Sequence, residues 1–212
     1  MTFRTIAAIA AATAILATVA VADEKRRTDS GRVVQFSDWK DRKPHEAMIN
    51  VIDLEKFPPI EEVTVQQRTR DNAMTRQRIR FDRMQVSIMV DHFPVGYFAL
   101  SATDTVHSES KTKARVRKYG LKSHERDEAT FEESRKVYSY GRRGGWVHAV
   151  EIGPSRKSCV FGMLGLLSRG KSAPMEHYDT IISIKDCSGN RSIKHYEAFL
   201  KDLKMVPPEY NR

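Results

Sequence analysis

Hydrophobic and polar residues alternate with a period of two along much of the chain after residue 62. The clearest runs cover residues 63–67, 79–81 and 86–90, and an aromatic run rich in β-formers follows Pro94 at residues 95–100. Such alternation is typical of antiparallel strands with one buried face and one face in water. This part of the chain therefore predicts a series of antiparallel strands.

The later part of the chain predicts two hairpins. Residues 137–140 and 146–152 are strand-like and flank a Gly-Arg-Arg-Gly-Gly turn at residues 141–145. Residues 159–167 and 178–187 are also strand-like, and a loop containing Pro174 joins them. If this second pair forms a hairpin centred near Ala173, the numbers of facing residues sum to 346, and Cys159 faces Cys187.

Helices are predicted in three places. Ser192 caps a helix whose apolar residues share one face, and Pro207-Pro208 ends it. Residues 127–137 suit a helix because Asp127 can cap it, acidic residues follow in the first turn and basic ones come last. Pro44 opens a short helix over residues 45–54, although residues 48–52 would equally suit a strand. The fold class is therefore α+β: a mostly antiparallel sheet, with a C-terminal amphipathic helix and one or two further helices packed on one face.

The N-terminus resembles an export signal. Arg4 precedes residues 6–21, which are all Ala, Ile, Leu, Val or Thr, and the run closes on Ala20-Val21-Ala22. This layout predicts a signal peptide, residues 1–22, cleaved after Ala22. A retained anchor is the alternative, but the run lies at the lower limit for spanning a membrane. Residues 23–36 then form a flexible mature N-terminus, and residues 37–212 form a single α+β domain without a transmembrane segment.

A cleaved signal peptide implies a periplasmic or secreted location, and the two cysteines fit that location. The chain contains Cys159 and Cys187 and no other cysteine. An even count in an oxidising compartment favours a disulfide over metal ligation.

The chain is basic, with 36 Lys and Arg against 27 Asp and Glu, and loss of Arg4 with the leader leaves +8. A basic exported domain is attracted to anionic surfaces. Two stripes of alternating basic residues would each line one face of a strand, and Tyr138, Tyr140 and Trp146 could stack beside them. The alternative is a solvated face that protects a sheet edge. The candidate anion-binding residues are Lys111, Lys113, Arg115, Arg117, Arg76, Arg78 and Arg80.

Residues 165–172, GLLSRGKS, match the phosphate-loop pattern at every specified position. A working phosphate loop lies between a strand and a helix. Here Pro174 follows the motif, and the next periodic segment is strand-like. The motif is therefore interpreted as part of a hairpin loop, with nucleotide binding as the weakest alternative.

No other pattern indicates chemistry. The histidines lack metal-site spacing, residues 176–179 (EHYD) form only an isolated His–acid group, and no G-x-S-x-G elbow occurs. Among weak candidates for a general base, the Asp91-His92 pair is the best. No catalytic residue, metal or cofactor is predicted. The sequence predicts an exported, non-catalytic, envelope-associated protein that binds an anionic component or a protein partner. The alternative is an envelope hydrolase whose site the sequence does not reveal.

Overall fold

The structure is a computed structural model. It describes the residues 26–27, 33–34, 36–49, 63–70, 74–81, 85–93, 105–139, 143–167 and 178–205. The predicted signal peptide and the strand predicted at residues 95–100 lie outside these ranges.

The chain divides into two compact units, residues 1–34 and residues 35–212. In the first unit, β1 (Arg26–Arg27) and β2 (Val33–Val34) form a two-stranded antiparallel ribbon. This ribbon falls within the segment predicted to be the flexible mature N-terminus.

The second unit contains an eight-stranded sheet in the order β3-β4-β5-β6-β10-β9-β8-β7, with every neighbouring pair antiparallel. Its strands are β3 (Lys40–Arg42), β4 (Val63–Arg70), β5 (Met74–Phe81), β6 (Val86–His92), β7 (Ala129–Ser139), β8 (Arg143–Ile152), β9 (Lys157–Leu166) and β10 (Thr180–Asp186). The predicted antiparallel strands at residues 63–67, 79–81 and 86–90 are confirmed.

Helices α1 (Glu109–Arg115) and α2 (Ile193–Asp202) accompany the sheet within the described part of the chain. Helix α1 continues into a π-helical turn (Val116–Gly120), and α2 lies near the C-terminus. The Ser108 and Ser192 hydroxyls cap α1 and α2 by accepting hydrogen bonds from backbone N–H groups three residues later. Short 3₁₀ turns occupy Pro44–Glu46 and Ser123–Glu125. Among the described residues, no helix combines the length and the apolar character needed to cross a membrane.

The helices lie on opposite faces of the sheet, not on the same face as predicted. Leu200 of α2 packs against Gly162, where an added Cβ would come within 3.0 Å of the leucine side chain. Thr112 of α1 instead contacts His148, whose strand neighbour Val147 pairs with Gly162. Because successive strand residues point to opposite faces, the sheet has an α2 face and an α1 face.

The α2 face carries the largest hydrophobic core. Alternate residues of the central strands are buried there, and each buried Val, Leu or Ile side chain contributes about 1.5–3 kcal/mol relative to exposure. The apolar residues predicted for the C-terminal helix lie in this core, which confirms their helical spacing. They are Ile193, Tyr196, Phe199, Leu200 and Leu203.

The C-terminal hairpin has the predicted register. Ile181 pairs with Gly165 and Asp186 pairs with Val160, so the numbers of facing residues sum to 346. A disulfide joins Cys159 and Cys187 at the end of this pairing. Its closure of a 28-residue separation contributes on the order of 3 kcal/mol in the chain-entropy model.

The helix predicted at residues 127–137 is wrong, because these residues belong to β7 (Ala129–Ser139). Strand β7 pairs with β8 along its length and has a bulge between Phe131 and Glu133. Its charge order suited a helix dipole, which is worth about 0.3–1 kcal/mol per charge. The ladder with β8 and the burial of Ala129 and Val137 outweigh that preference.

The short helix predicted after Pro44 is reduced to the single 3₁₀ turn Pro44–Glu46. Ile49 then forms an isolated antiparallel bridge with Met205. The remainder of this predicted helix, residues 50–54, lies outside the described residues.

Candidate anion-binding surface

Three of the predicted anion-binding residues, Arg76, Arg78 and Arg80, project from β5 onto the α1 face. Their strand neighbours Gln77, Ile79 and Phe81 are buried on the α2 face, as strand alternation requires. On β4, Arg68 pairs directly with Arg76. We call Arg68, Arg76, Arg78 and Arg80 the arginine surface.

Two aromatic rings cover part of the arginine surface. The Arg68 guanidinium carbon lies 4.1 Å from the centre of the Phe36 ring and 4.5 Å from that of Trp39. The Arg78 guanidinium carbon lies 4.2 Å from the Trp39 ring centre, and that of Arg76 lies 5.0 Å from the Phe36 ring centre. These distances fall within the cation–π range. The rings therefore restrict the positions that these guanidinium groups can take.

These aromatic partners were not predicted from the sequence. Phe36 and Trp39 come before the periodic strands, and only their three-residue spacing next to a basic segment could have marked them. Of the predicted stacking residues, Trp146 lies parallel to the ring of His148 at 6.4 Å. Tyr140 and the side chain of Tyr138 lie outside the described residues.

Two carboxylates adjoin the arginine surface. Asp91 of β6 accepts hydrogen bonds from both Nε and Nη2 of Arg76, the latter at 2.9 Å, in a two-point pairing. Asp41 of β3 accepts a hydrogen bond from the side-chain amide of Gln66, at 3.0 Å. Among the described residues, these two carboxylates therefore lie beside a row of four neighbouring guanidinium groups.

Burial and neighbouring charges together lower the pKa of Arg78. Partial burial lowers the pKa of Arg78, and the charges of Arg80, Arg68 and Arg76 lower it further. Like charges held this close repel one another, and a bound anion would relieve the repulsion. The arrangement is therefore suited to bind an anionic group.

Asp91 and His92 do not work together as a base. Asp91 is engaged by Arg76, whereas Nδ1 of His92 lies 2.9 Å from the hydroxyl of Thr180. Adjacent strand residues point to opposite faces, so these two side chains lie on opposite sides of the sheet.

The second predicted stripe, residues 111–117, lies on α1 and its π-helical turn, so its residues do not line one face of a strand. Thr112 is buried and Val116, four residues later, packs against a core cluster. Helical spacing thus buries one face and distributes the basic residues over the others. Lys113 pairs with Glu109 at 2.6 Å, and Arg117 donates hydrogen bonds to the Arg126 and Ala129 carbonyl oxygens.

The two basic groups lie on the same side of the sheet without meeting. Helix α1 contacts β7 and β8, whereas the arginine surface lies on β4 and β5. Four strand spacings separate β5 from β8, which corresponds to about 19 Å. They form two surfaces instead of the single convergent one considered from the sequence.

A hydrogen-bonded chain lies beneath α1. Thr112 donates to the Glu109 carbonyl oxygen, so its Oγ1 accepts from Nε2 of His148 at 2.8 Å, and Nδ1 of His148 lies 2.9 Å from the Ser134 hydroxyl. Burial lowers the pKa of His148 to about 4; the charge of Lys113 lowers it further and Glu109 partly offsets this. The imidazole is therefore neutral near pH 7, and both of its nitrogens are engaged in tying α1 to β7 and β8.

The glycine that begins GLLSRGKS has a packing role. Gly165 lies in β9, where an added Cβ would collide with the ring of Tyr178. The next described strand, β10, pairs antiparallel with β9, which is the hairpin arrangement that was preferred to a phosphate loop. Gly170, Lys171 and Ser172 lie outside the described residues.

The described ranges contain no group of three or more His, Cys, Asp or Glu residues arranged to hold a metal ion. Asp179 of the EHYD segment accepts a hydrogen bond from the Thr180 hydroxyl, at 2.8 Å. Glu176 and His177 lie outside the described residues.

No family model, curated protein or solved structure matches this chain.

Proposed function

We propose that this protein is an exported binding protein that holds an anionic partner on the arginine surface. The observation that carries the proposal is the set of four neighbouring guanidinium groups, in which burial lowers the pKa of Arg78 and the charges of the other three lower it further. Partners with phosphate, sulfate or carboxylate groups fit this chemistry, since planar guanidinium groups bind such oxyanions at two points. The partner is an anionic envelope polymer or a protein with an acidic surface.

The aromatic rings support a binding role because they order the arginines before a partner arrives. A long side chain loses about 0.5–1.5 kcal/mol of conformational freedom when a partner immobilises it. Phe36 and Trp39 already restrict Arg68, Arg76 and Arg78 by stacking. The location of the protein in the periplasm or outside the cell is part of the proposal, and it rests on the N-terminal sequence and the disulfide.

The proposal is tested with polyphosphate as the probe and Trp39 as the reporter. Trp39 is one of two tryptophans in the chain, and it contacts Arg68 and Arg78. We expect polyphosphate to change its fluorescence and to raise the unfolding temperature, since a ligand that binds only the folded state stabilises it. Arg78→Gln should weaken binding by about tenfold or more, because a charged hydrogen bond contributes about 1.5–3 kcal/mol.

Lys194→Gln is the matched control, since Lys194 is an exposed cation on α2, on the other side of the sheet. It removes the same charge and should leave polyphosphate binding nearly unchanged. Equal weakening by the two variants would indicate attraction to net charge alone and would refute a specific site. Arg78→Lys should retain part of the affinity, since it preserves charge without two-point geometry.

A second candidate, the envelope hydrolase, gains one observation: the Ser134 hydroxyl contacts Nδ1 of His148. A serine hydrolase needs this histidine to take the serine proton, and a pKa of about 4 makes it a weak base near pH 7. A fluorophosphonate probe that labels the protein but not Ser134→Ala would favour the hydrolase. Absence of labelling on Ser134 would eliminate this dyad as its active site.

A further inference from the structure

Tyr119 stands out into solvent at the end of the α1 segment. It is 54 % exposed, and no other large hydrophobic side chain is exposed among the residues that the structure describes. Since tyrosine combines an apolar ring with a polar hydroxyl, it is enriched where one end of a side chain meets an apolar medium and the other meets water.

Cations flank the exposed ring. The Lys118 ammonium lies 5.1 Å from the ring centre, and the Arg115 guanidinium carbon lies 5.5 Å from it. Lys111 is exposed and precedes Arg115 by four residues, a spacing that places two side chains on the same side of a helix. We call Lys111, Arg115, Lys118 and Tyr119 the tyrosine patch.

Little negative charge opposes the patch within its own segment. Residues 105–122 contain six Lys and Arg residues and one acidic residue, Glu109. The Glu109 carboxylate is engaged by Lys113 at 2.6 Å. The segment that carries the patch is therefore predominantly basic around an exposed aromatic ring.

The turn that carries Tyr119 is anchored to the sheet side of the domain. The carbonyl oxygen of Lys118 accepts a hydrogen bond from Nη2 of Arg126 at 2.8 Å. That of Gly120 accepts one from the Lys185 ammonium at 2.7 Å. Such cations at a helix C-terminus satisfy carbonyls that lack helical partners and interact favourably with the helix dipole. The turn is thus held at both sides of the tyrosine.

We infer that the tyrosine patch docks this protein onto a membrane surface that carries anionic phospholipid headgroups. The cations match the headgroup phosphates, and the tyrosine ring suits the boundary between headgroups and acyl chains. The single exposed ring of Tyr119, on the outer side of its helical turn, can contact a flat surface such as a membrane. Single-stranded nucleic acid is bound in a groove with several aromatic platforms, which this patch lacks. The inference does not rest on the proposed role of the arginine surface.

The test is co-sedimentation of the purified protein with vesicles. We expect binding to vesicles that contain phosphatidylglycerol and much weaker binding to vesicles of phosphatidylcholine alone. Arg115→Gln with Lys118→Gln should weaken binding by about fivefold for each cation removed. Tyr119→Ala should also weaken binding severalfold, whereas Tyr119→Phe should retain most of it.

The matched control is Lys194→Gln with Lys204→Gln, which removes two exposed cations outside the patch. An equal loss of binding by this control would overturn the inference, as would full binding by the Tyr119→Ala and Arg115→Gln, Lys118→Gln variants. A single-stranded oligonucleotide bound as tightly, and with the same dependence on Tyr119, would also overturn it. Unfolding temperatures near that of the original protein would show that the variants are folded. The vesicle test depends on Tyr119, whereas the polyphosphate test depends on Arg78 and on the fluorescence of Trp39, so failure here and failure of the polyphosphate test are distinguishable.

Discussion

The two faces of the sheet differ in how their charged side chains are arranged. On the α2 face, the carboxylate of Asp186 is buried, and it accepts a hydrogen bond from the Tyr196 hydroxyl at 2.6 Å and lies 3.5 Å from Nη1 of Arg191. On the α1 face, the arginine surface places four guanidinium groups side by side. The first arrangement satisfies a buried charge internally, as stability requires. The second places like charges next to one another, where they repel.

Asp186→Asn should be the most destabilising change if this contrast is right. It removes the negative charge that lies 3.5 Å from the buried Arg191 side chain, and breaking a buried pair costs about 3–5 kcal/mol. Urea unfolding followed by circular dichroism measures the loss. A loss below about 1 kcal/mol, the value of a surface ion pair, would contradict the internal pairing described for the α2 face.

Leu200→Ala should cost about 2–5 kcal/mol, because Leu200 is fully buried and packs over Gly162. The same unfolding experiment measures it. Ala198→Gly, on the exposed side of α2, is the control for helix propensity and should cost only about 1 kcal/mol. Similar losses for both variants would mean that α2 contributes through propensity and not through packing.

Lowering the pH should reduce the free energy of unfolding through His148, which lies on the α1 face. Its pKa is lowered to about 4, below the unfolded value of about 6.5, so the unfolded state binds more protons between these values. The contribution of His148 to the free energy of unfolding is therefore fully present above about pH 6.5. It is lost as the pH drops toward 4, by about 3 kcal/mol in total. Unfolding at several pH values measures the slope.

His195 is the control for this slope, because burial also lowers its pKa and its contribution has the same sign. In His195→Gln, the part of the slope that remains should belong mainly to His148. A ring titration of His148 by NMR with a midpoint near 6.5 would contradict its burial between Thr112 and Ser134.

Arg78→Gln should have the smallest effect on stability. It loses the stacking on Trp39, worth about 0.5–2 kcal/mol, but it also relieves repulsion from three neighbouring arginines. We expect a net change within about 1 kcal/mol, measured by thermal unfolding without added anion. A large loss of stability would mean that the arginine surface is a structural element, and the contrast between the faces would disappear.

Sequence reasoning succeeded where local pattern and long-range contact agree. The hairpin register followed from strand periodicity together with the positions of Cys159 and Cys187, because a two-residue period leaves few registers that bury one face. The cap at Ser192 and the apolar side of α2 were also readable, since capping and helical spacing depend on residues a few positions apart.

It failed where local pattern and contacts compete. Residues 129–139 carry a charge order suited to a helix, yet pairing with β8 makes them a strand. Lys111 to Arg117 alternate as in a strand, yet burial of Thr112 and Val116 selects a helix. In both segments the polar residues repeat regularly, but the few buried residues decide the conformation.

Part of the arginine surface could be predicted from the sequence, because part of it depends only on local alternation. Arg76, Arg78 and Arg80 share a face through local alternation, which the sequence displays. Arg68, Phe36 and Trp39 join them only through pairing of β4 with β5 and through the path of the chain before β3.

By itself, the amino-acid sequence determined the antiparallel strands, the C-terminal hairpin with its disulfide and the amphipathic C-terminal helix, because each depends on short-range periodicity or on one covalent bond. Only the tertiary structure decided that the helices lie on opposite faces and that two basic stripes form two separate surfaces. Those outcomes depend on strand order and on which buried side chains meet, and contacts between residues distant in sequence determine both.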